Sequence, residues 1–154
     1  MKKVLVSILS LAIILSLSQL AAGQTGANSQ NNPLLQAAAQ GNTAVVQQLL
    51  DKGANIESKD KNGYTALILA AVFNNTEVVK LLLARGANIE AKNNDGNTAL
   101  IWAAFKDKLE VVKLLLANGA NINAKNNDGD TALTMATIKS ATDVVNLLQE
   151  KGAH

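Results

Sequence analysis

Cysteine is absent from the 154 residues, and histidine occurs once, as His154. The first absence removes disulfides, thiolate metal sites and cysteine nucleophiles together. The second leaves nothing from which to build a Ser-His-Asp or Cys-His arrangement. His154 itself reads as a frayed terminus. Past residue 23 the serines are Ser29, Ser58 and Ser140, and none sits in a Gly-x-Ser-x-Gly elbow. Paired carboxylates are scarce. Asp128 and Asp130 flank Gly129 on what reads as a loop tip, a solvated pair rather than an acid/base dyad. No enzyme and no cofactor are expected. Aromatics make up 3% of the chain, so alanine, leucine and valine must do the packing, which suits small, closely stacked helices.

Charge is also nearly absent as a net quantity. Of 14 basic residues, Lys2 and Lys3 stand ahead of an apolar run at 4–17 that is interrupted by Ser7, Ser10 and Ser16. Ala21-Ala22-Gly23 follows, with small residues where a signal peptidase reads. This is the layout of a secretory signal peptide at 1–23, and cleavage after Gly23 is expected. The competing reading is an uncleaved anchor, but the run is short for a span of about 20 residues. With no cysteine behind the run, a lipid-modified N-terminus is excluded. The expected location is periplasmic or extracellular, and the short two-lysine start points to a bacterium. Removing Lys2 and Lys3 leaves 12 basic residues against 12 acidic ones. That balance offers no whole-protein steering toward nucleic acid or, after cleavage, an anionic membrane.

What the chain has instead is repetition. Asn62-Gly63-Tyr64-Thr65-Ala66-Leu67 returns as Gly96-Asn97-Thr98-Ala99-Leu100 and Gly129-Asp130-Thr131-Ala132-Leu133, with the glycines 33 residues apart each time. A fixed period of this size marks an array of one small unit stacked on its copies. Residues 24–32 are polar and aperiodic and read as a flexible leader. Pro33 suits the first position of a helix. The domain then runs over 33–154, with copies at 33–59, 60–92, 93–125 and 126–154. The first copy lacks its opening turn.

Each copy reads as turn, helix, turn, helix. Thr65, Thr98 and Thr131 are placed to cap first helices at 66–73, 99–105 and 132–138. Thr76 is placed to cap a second helix. Gly53, Gly86, Gly119 and Gly152 stop the second helices, and Ala54-Asn55-Ile56 and its copies lead out in extended form. Neither helix is long enough to stand alone in water, so each must bury a face against its neighbours. Glutamines in the first copy and Asn146, Gln149, Glu150 and Lys151 in the last look like wet outer faces. The array is therefore expected to be complete at four units.

These motifs resemble the ankyrin-repeat pattern of a turn glycine, Thr-Pro-Leu-His-x-Ala-Ala, two helices and a Gly-Ala-Asp/Asn exit. Thr65-Ala66-Leu67-Ile68-Leu69-Ala70-Ala71 and Thr98-Ala99-Leu100-Ile101-Trp102-Ala103-Ala104 match it, as do Gly53-Ala54-Asn55, Gly86-Ala87-Asn88 and Gly119-Ala120-Asn121. The family proline is replaced by Ala66, Ala99 and Ala132, and the family histidine by Ile68, Ile101 and Thr134. Apolar contact is expected where that histidine would bond across the turn. The resemblance implies an all-α solenoid of about four helix-turn-helix repeats with short hairpin-like loops. It implies a non-catalytic, monomeric module that binds a protein, and it names no partner. A self-associating structural element, or an inhibitor that neutralises a toxin or enzyme, are the alternatives.

The Asn-Asp-Gly loops raise the question of calcium. Setting the required glycine of an EF-hand loop on Gly129 puts Ala124 and Met135 at the first and last ligand positions; on Gly96 it puts Ala91 and Trp102 there. No carboxylate stands where the metal needs one, so no metal is expected. Turn chemistry explains the loops better. The resemblance places partner contacts on loop tips and on the concave first-helix face. Carried over by position, these are Lys61, Asn62, Tyr64, Asn94, Asp95, Asn97, Asn127, Asp128 and Asp130 on the tips. On the first helices they are Val72, Phe73, Phe105, Lys106, Ile138 and Lys139. Val72, Phe105 and Ile138 share one position of successive copies. Apolar groups on a wet face mark interaction sites, and aromatics are enriched in hot spots. The competing reading is that the two phenylalanines cover the ends of their own helices. Trp102, at the position of Leu69, is expected to be half-buried core.

Overall fold

The computed structural model describes residues 32–154; the signal-peptide and leader segments expected at 1–31 lie outside the described residues. Eight helices follow in pairs: α1 (Pro33–Gln40) with α2 (Thr43–Asp51), α3 (Ala66–Val72) with α4 (Thr76–Ala84), α5 (Ala99–Phe105) with α6 (Leu109–Ala117), and α7 (Ala132–Ile138) with α8 (Thr142–Glu150). The structure is all-α, a stack of helix pairs consistent with a solenoid of about four repeats. First helices pack on first helices and, more loosely, second helices on second helices. None of the described helices is long and apolar enough to cross a membrane.

The local grammar explains the starts and stops. Thr65, Thr98 and Thr131 are extended N-cap residues, and their hydroxyls accept from the backbone N–H of Ile68, Ile101 and Thr134, each at 3.3 Å. Asn32 does the same for α1, accepting from Leu34 N at 3.0 Å. It therefore belongs to the first repeat, at the register of Thr65, and not to the leader. Thr76 is not a cap. It is the first residue of α4, and the cap position belongs to Asn75. The Asn75 side chain reaches back one repeat instead, donating to Ala38 O at 2.7 Å and Ala39 O at 2.9 Å at the end of α1. The exits are not extended either. Asn55, Asn88 and Asn121 accept through Oδ1 from the N–H two residues on, at 2.9–3.1 Å, and so fold each exit into an Asx turn.

The core is made of small residues in the first helices and branched ones in the second. Ala70, Ala71, Ala103 and Ala104 are fully buried, as are Val79, Leu82, Val112 and Leu115. Ile68 and Ile101 are buried between repeats, so apolar contact does stand at the histidine position. At the same register Thr134 is exposed, because no described repeat stacks on it. Polar ties run along the edge with the same period. Glu57 and Glu90 accept from Asn88 N and Asn121 N at 2.7 Å. Asn123 continues the series by accepting from His154 N at 3.1 Å. His154 is therefore docked at the register of Asn88 and Asn121, where the sequence suggested fraying. Asp51 receives Gln47 and Arg85, and these two hold its carboxyl below the usual carboxylate range.

Candidate functional site

Each repeat opens with a hairpin-like turn closed by backbone bonds from Asp60 N to Tyr64 O, Asn93 N to Asn97 O and Asn126 N to Asp130 O, at 3.0–3.1 Å. Inside the turn, Asp60, Asn93 and Asn126 accept two backbone N–H groups each through Oδ1. These side chains are spent on shaping the backbone. Successive turns are bonded to one another. Asn94 donates from its backbone to Asn62 O and from Nδ2 to Lys61 O, both at 3.0 Å; Asn127 donates likewise to Asp95 O and Asn94 O.

This sorts the expected contact residues. Lys61, Asn62, Asp95 and Asp128 are exposed on the tips, and Asp130 is half-exposed. Asn94 and Asn127 are exposed but hold the turn before them. Asn97 is a correction. It is buried, at 6% exposure, and its Oδ1 accepts from Asn126 Nδ2 at 3.0 Å. It joins two turns and is closed to a partner.

The first-helix side carries the aromatic residues. Tyr64 leaves the second turn and meets Trp102 of α5, ring centroids 5.7 Å apart. Trp102 meets Phe105 edge-on, also at 5.7 Å. The three rings form one step across two repeats, each ring half-buried. Such pairs contribute about 0.5–1.5 kcal/mol beyond the area they bury. Lys106 Nζ lies 5.8 Å from the Trp102 ring and 5.5 Å from Phe105, and Lys139 Nζ lies 4.5 Å from Phe105. Phe73 and Ile138 stand free, 57% and 63% exposed. Phe73 therefore does not cover its helix end, whereas Phe105 packs on Trp102. Val72 is half-buried.

Side-chain size grades along the face. Ala39, Val72, Phe105 and Ile138 share one register. Where the small Ala39 stands, a hollow of ≈ 330 Å³ opens, lined by Leu35, Gln36, Ala39, Asp60, Lys61 and Leu69. Turn and first helices thus line one surface. Burial raises the pKa of the Tyr64 hydroxyl above its usual value; Asn93 opposes the rise, and the carboxylates of Asp95 and Asp60 add to it. Trp102 Nε1 is buried with no acceptor among the described residues, a deficit of about 1–3 kcal/mol. The ring step escaped the sequence reading because Tyr64 and Trp102 differ in register and meet only across a repeat boundary.

A family model described as ankyrin repeats (3 copies) matches the chain at residues 9–93 and again at 85–154. No curated protein matches it. Repeat arrays of this family are non-catalytic protein-binding modules. With the helix pairs, the 33-residue register and two matches that together span most of the sequence, the chain belongs to the ankyrin-repeat family.

Proposed function

We propose that this chain is an exported binding module that grips one protein partner with its turn tips and the open side of its first helices. The observation that carries the reading is the half-buried Tyr64–Trp102–Phe105 step, flanked by the exposed Phe73 and Ile138. Large apolar side chains on an otherwise polar surface mark a contact site. The scaffold supports recognition with little loss of freedom, since the turns are tied to each other before any partner arrives. Export is supported by Lys2, Lys3, the apolar run at 4–17 and Ala21-Ala22-Gly23.

The test is an affinity capture from the extracellular or periplasmic fraction of the source organism. The full-length chain is the bait, and Phe73→Glu with Phe105→Glu is the control, checked for unchanged helical content. A partner held by the bait and lost by the control is the expected result. Identical captures by both would remove the ring face from the site. N-terminal sequencing of the exported protein should begin at Gln24; an intact Met1 would sink the cleavage reading.

A further inference from the structure

The first-helix face has two edges of opposite charge. Toward the turn tips stand Asp95, Asp128 and Asp130, with Lys61 on the second turn. At the other edge, where α5 and α7 end, Lys106 and Lys139 are exposed. Between the edges α3, α5 and α7 carry no charged residue. Neither lysine forms an ion pair with a described residue, whereas Lys80, Arg85 and Lys113 of the second-helix layer each do. Their ammonium groups lie instead over Phe105, one from its own repeat and one from the next. Asp107 adjoins Lys106, and Lys108 beside it offsets its charge. The helix dipole favours a cation at a helix C-terminus, but it does not require one, since Phe73 is the C-cap of α3 at the same register. An ammonium resting on a ring face still has donors to offer an incoming acceptor.

We infer that the partner segment bound here is acidic, setting an apolar side chain on the Tyr64–Trp102–Phe105 step and carboxylates along the edge of Lys106 and Lys139. The inference rests on the first-helix face being the binding face. It also fixes an orientation, because Asp95, Asp128 and Asp130 repel those carboxylates from the opposite edge.

The experiment titrates the full-length chain with three synthetic peptides that share one apolar pattern. The first has Asp and Glu along one edge, the second Asn and Gln at those positions, and the third Lys. Trp102 is the single tryptophan, so its emission reports on this site alone, and calorimetry supplies the affinity. The acidic peptide is expected to bind about tenfold more tightly than the amide peptide, with the advantage fading at high salt. In Lys106→Gln with Lys139→Gln the advantage disappears, while Lys113→Gln, in the second-helix layer, keeps it. Both substituted lysines are exposed, and circular dichroism of the double variant is to be compared with that of the native chain before titration. Should all three peptides shift Trp102 and bind alike, or should the double variant keep the preference, the acidic inference fails and the binding face stands. Should no peptide shift Trp102 or release heat, both fail.

Discussion

Tyr64 is the single tyrosine, and its surroundings give it a readable signature. Burial holds its pKa above the usual 10.0. A raised folded pKa means that its contribution to stability is complete below the unfolded value and is lost as pH rises through the folded one. Spectrophotometric titration of the native chain should therefore give a tyrosinate midpoint above that of the chain in denaturant. Equal midpoints would contradict the burial. Trp102 makes the complementary case. Its indole N–H lacks an acceptor, so Trp102→Phe loses ring area but also loses an uncompensated donor. Urea denaturation followed by circular dichroism should place Trp102→Phe within about 1 kcal/mol of the native chain. Trp102→Ala, which opens a gap between Tyr64 and Phe105, should cost about 2–4 kcal/mol.

At the scale of the turn, one register supplies its own control. Gly63, Gly96 and Gly129 all hold φ near +80°. A Cβ on Gly63 would meet Asn94 N at 2.7 Å, and one on Gly96 would meet Asn127 N at 2.8 Å; on Gly129 it would meet nothing. Left-handed strain alone costs about 1–2 kcal/mol for a side chain with a Cβ. Gly129→Ala should pay that and little more. Gly96→Ala should cost clearly more, because a backbone must also move. Equal losses in thermal unfolding would show that the turns are not packed on each other. The period of 33 made this glycine row visible in the sequence, along with the threonine caps. The asparagines beside it were not sorted. Asn94 and Asn97 look alike as polar turn residues, and only the packing of neighbouring turns decides that Asn97 is buried. The tie made by Asn75 is hidden from the sequence for the same reason, since its partners lie 36 and 37 residues earlier.

At the scale of the whole molecule, stability passes from neighbour to neighbour. Ile101 has described repeats on both sides and is 1% exposed. Ile101→Ala should cost about 2–5 kcal/mol and still give one transition, with far-ultraviolet dichroism and Trp102 emission sharing a midpoint. Separate midpoints would mean that the array unfolds in pieces. The architecture was legible because every copy writes the same words at the same interval. The binding face was legible only by position. Registers 64, 72 and 73 could be read as exposed and register 69 as half-buried, but not that Tyr64, Trp102 and Phe105 close into one step, nor that two lysines from separate repeats share a ring. His154 shows the same limit from the other side, for its partner Asn123 lies 31 residues away.

The bonds between turns all point one way. Asn94 holds the turn before it and Asn127 holds the turn that carries Asn94, like a row of books leaning in one direction. Each is propped by its successor; the fourth, at Asp128, Gly129 and Asp130, is bonded to the third through Asn126 and Asn127, and among the described residues no later turn props it. A partner that touches Asp95 meets a surface already still. One that touches Asp128 meets a turn braced from one side, where holding the chain still costs more of its freedom than at Asp95.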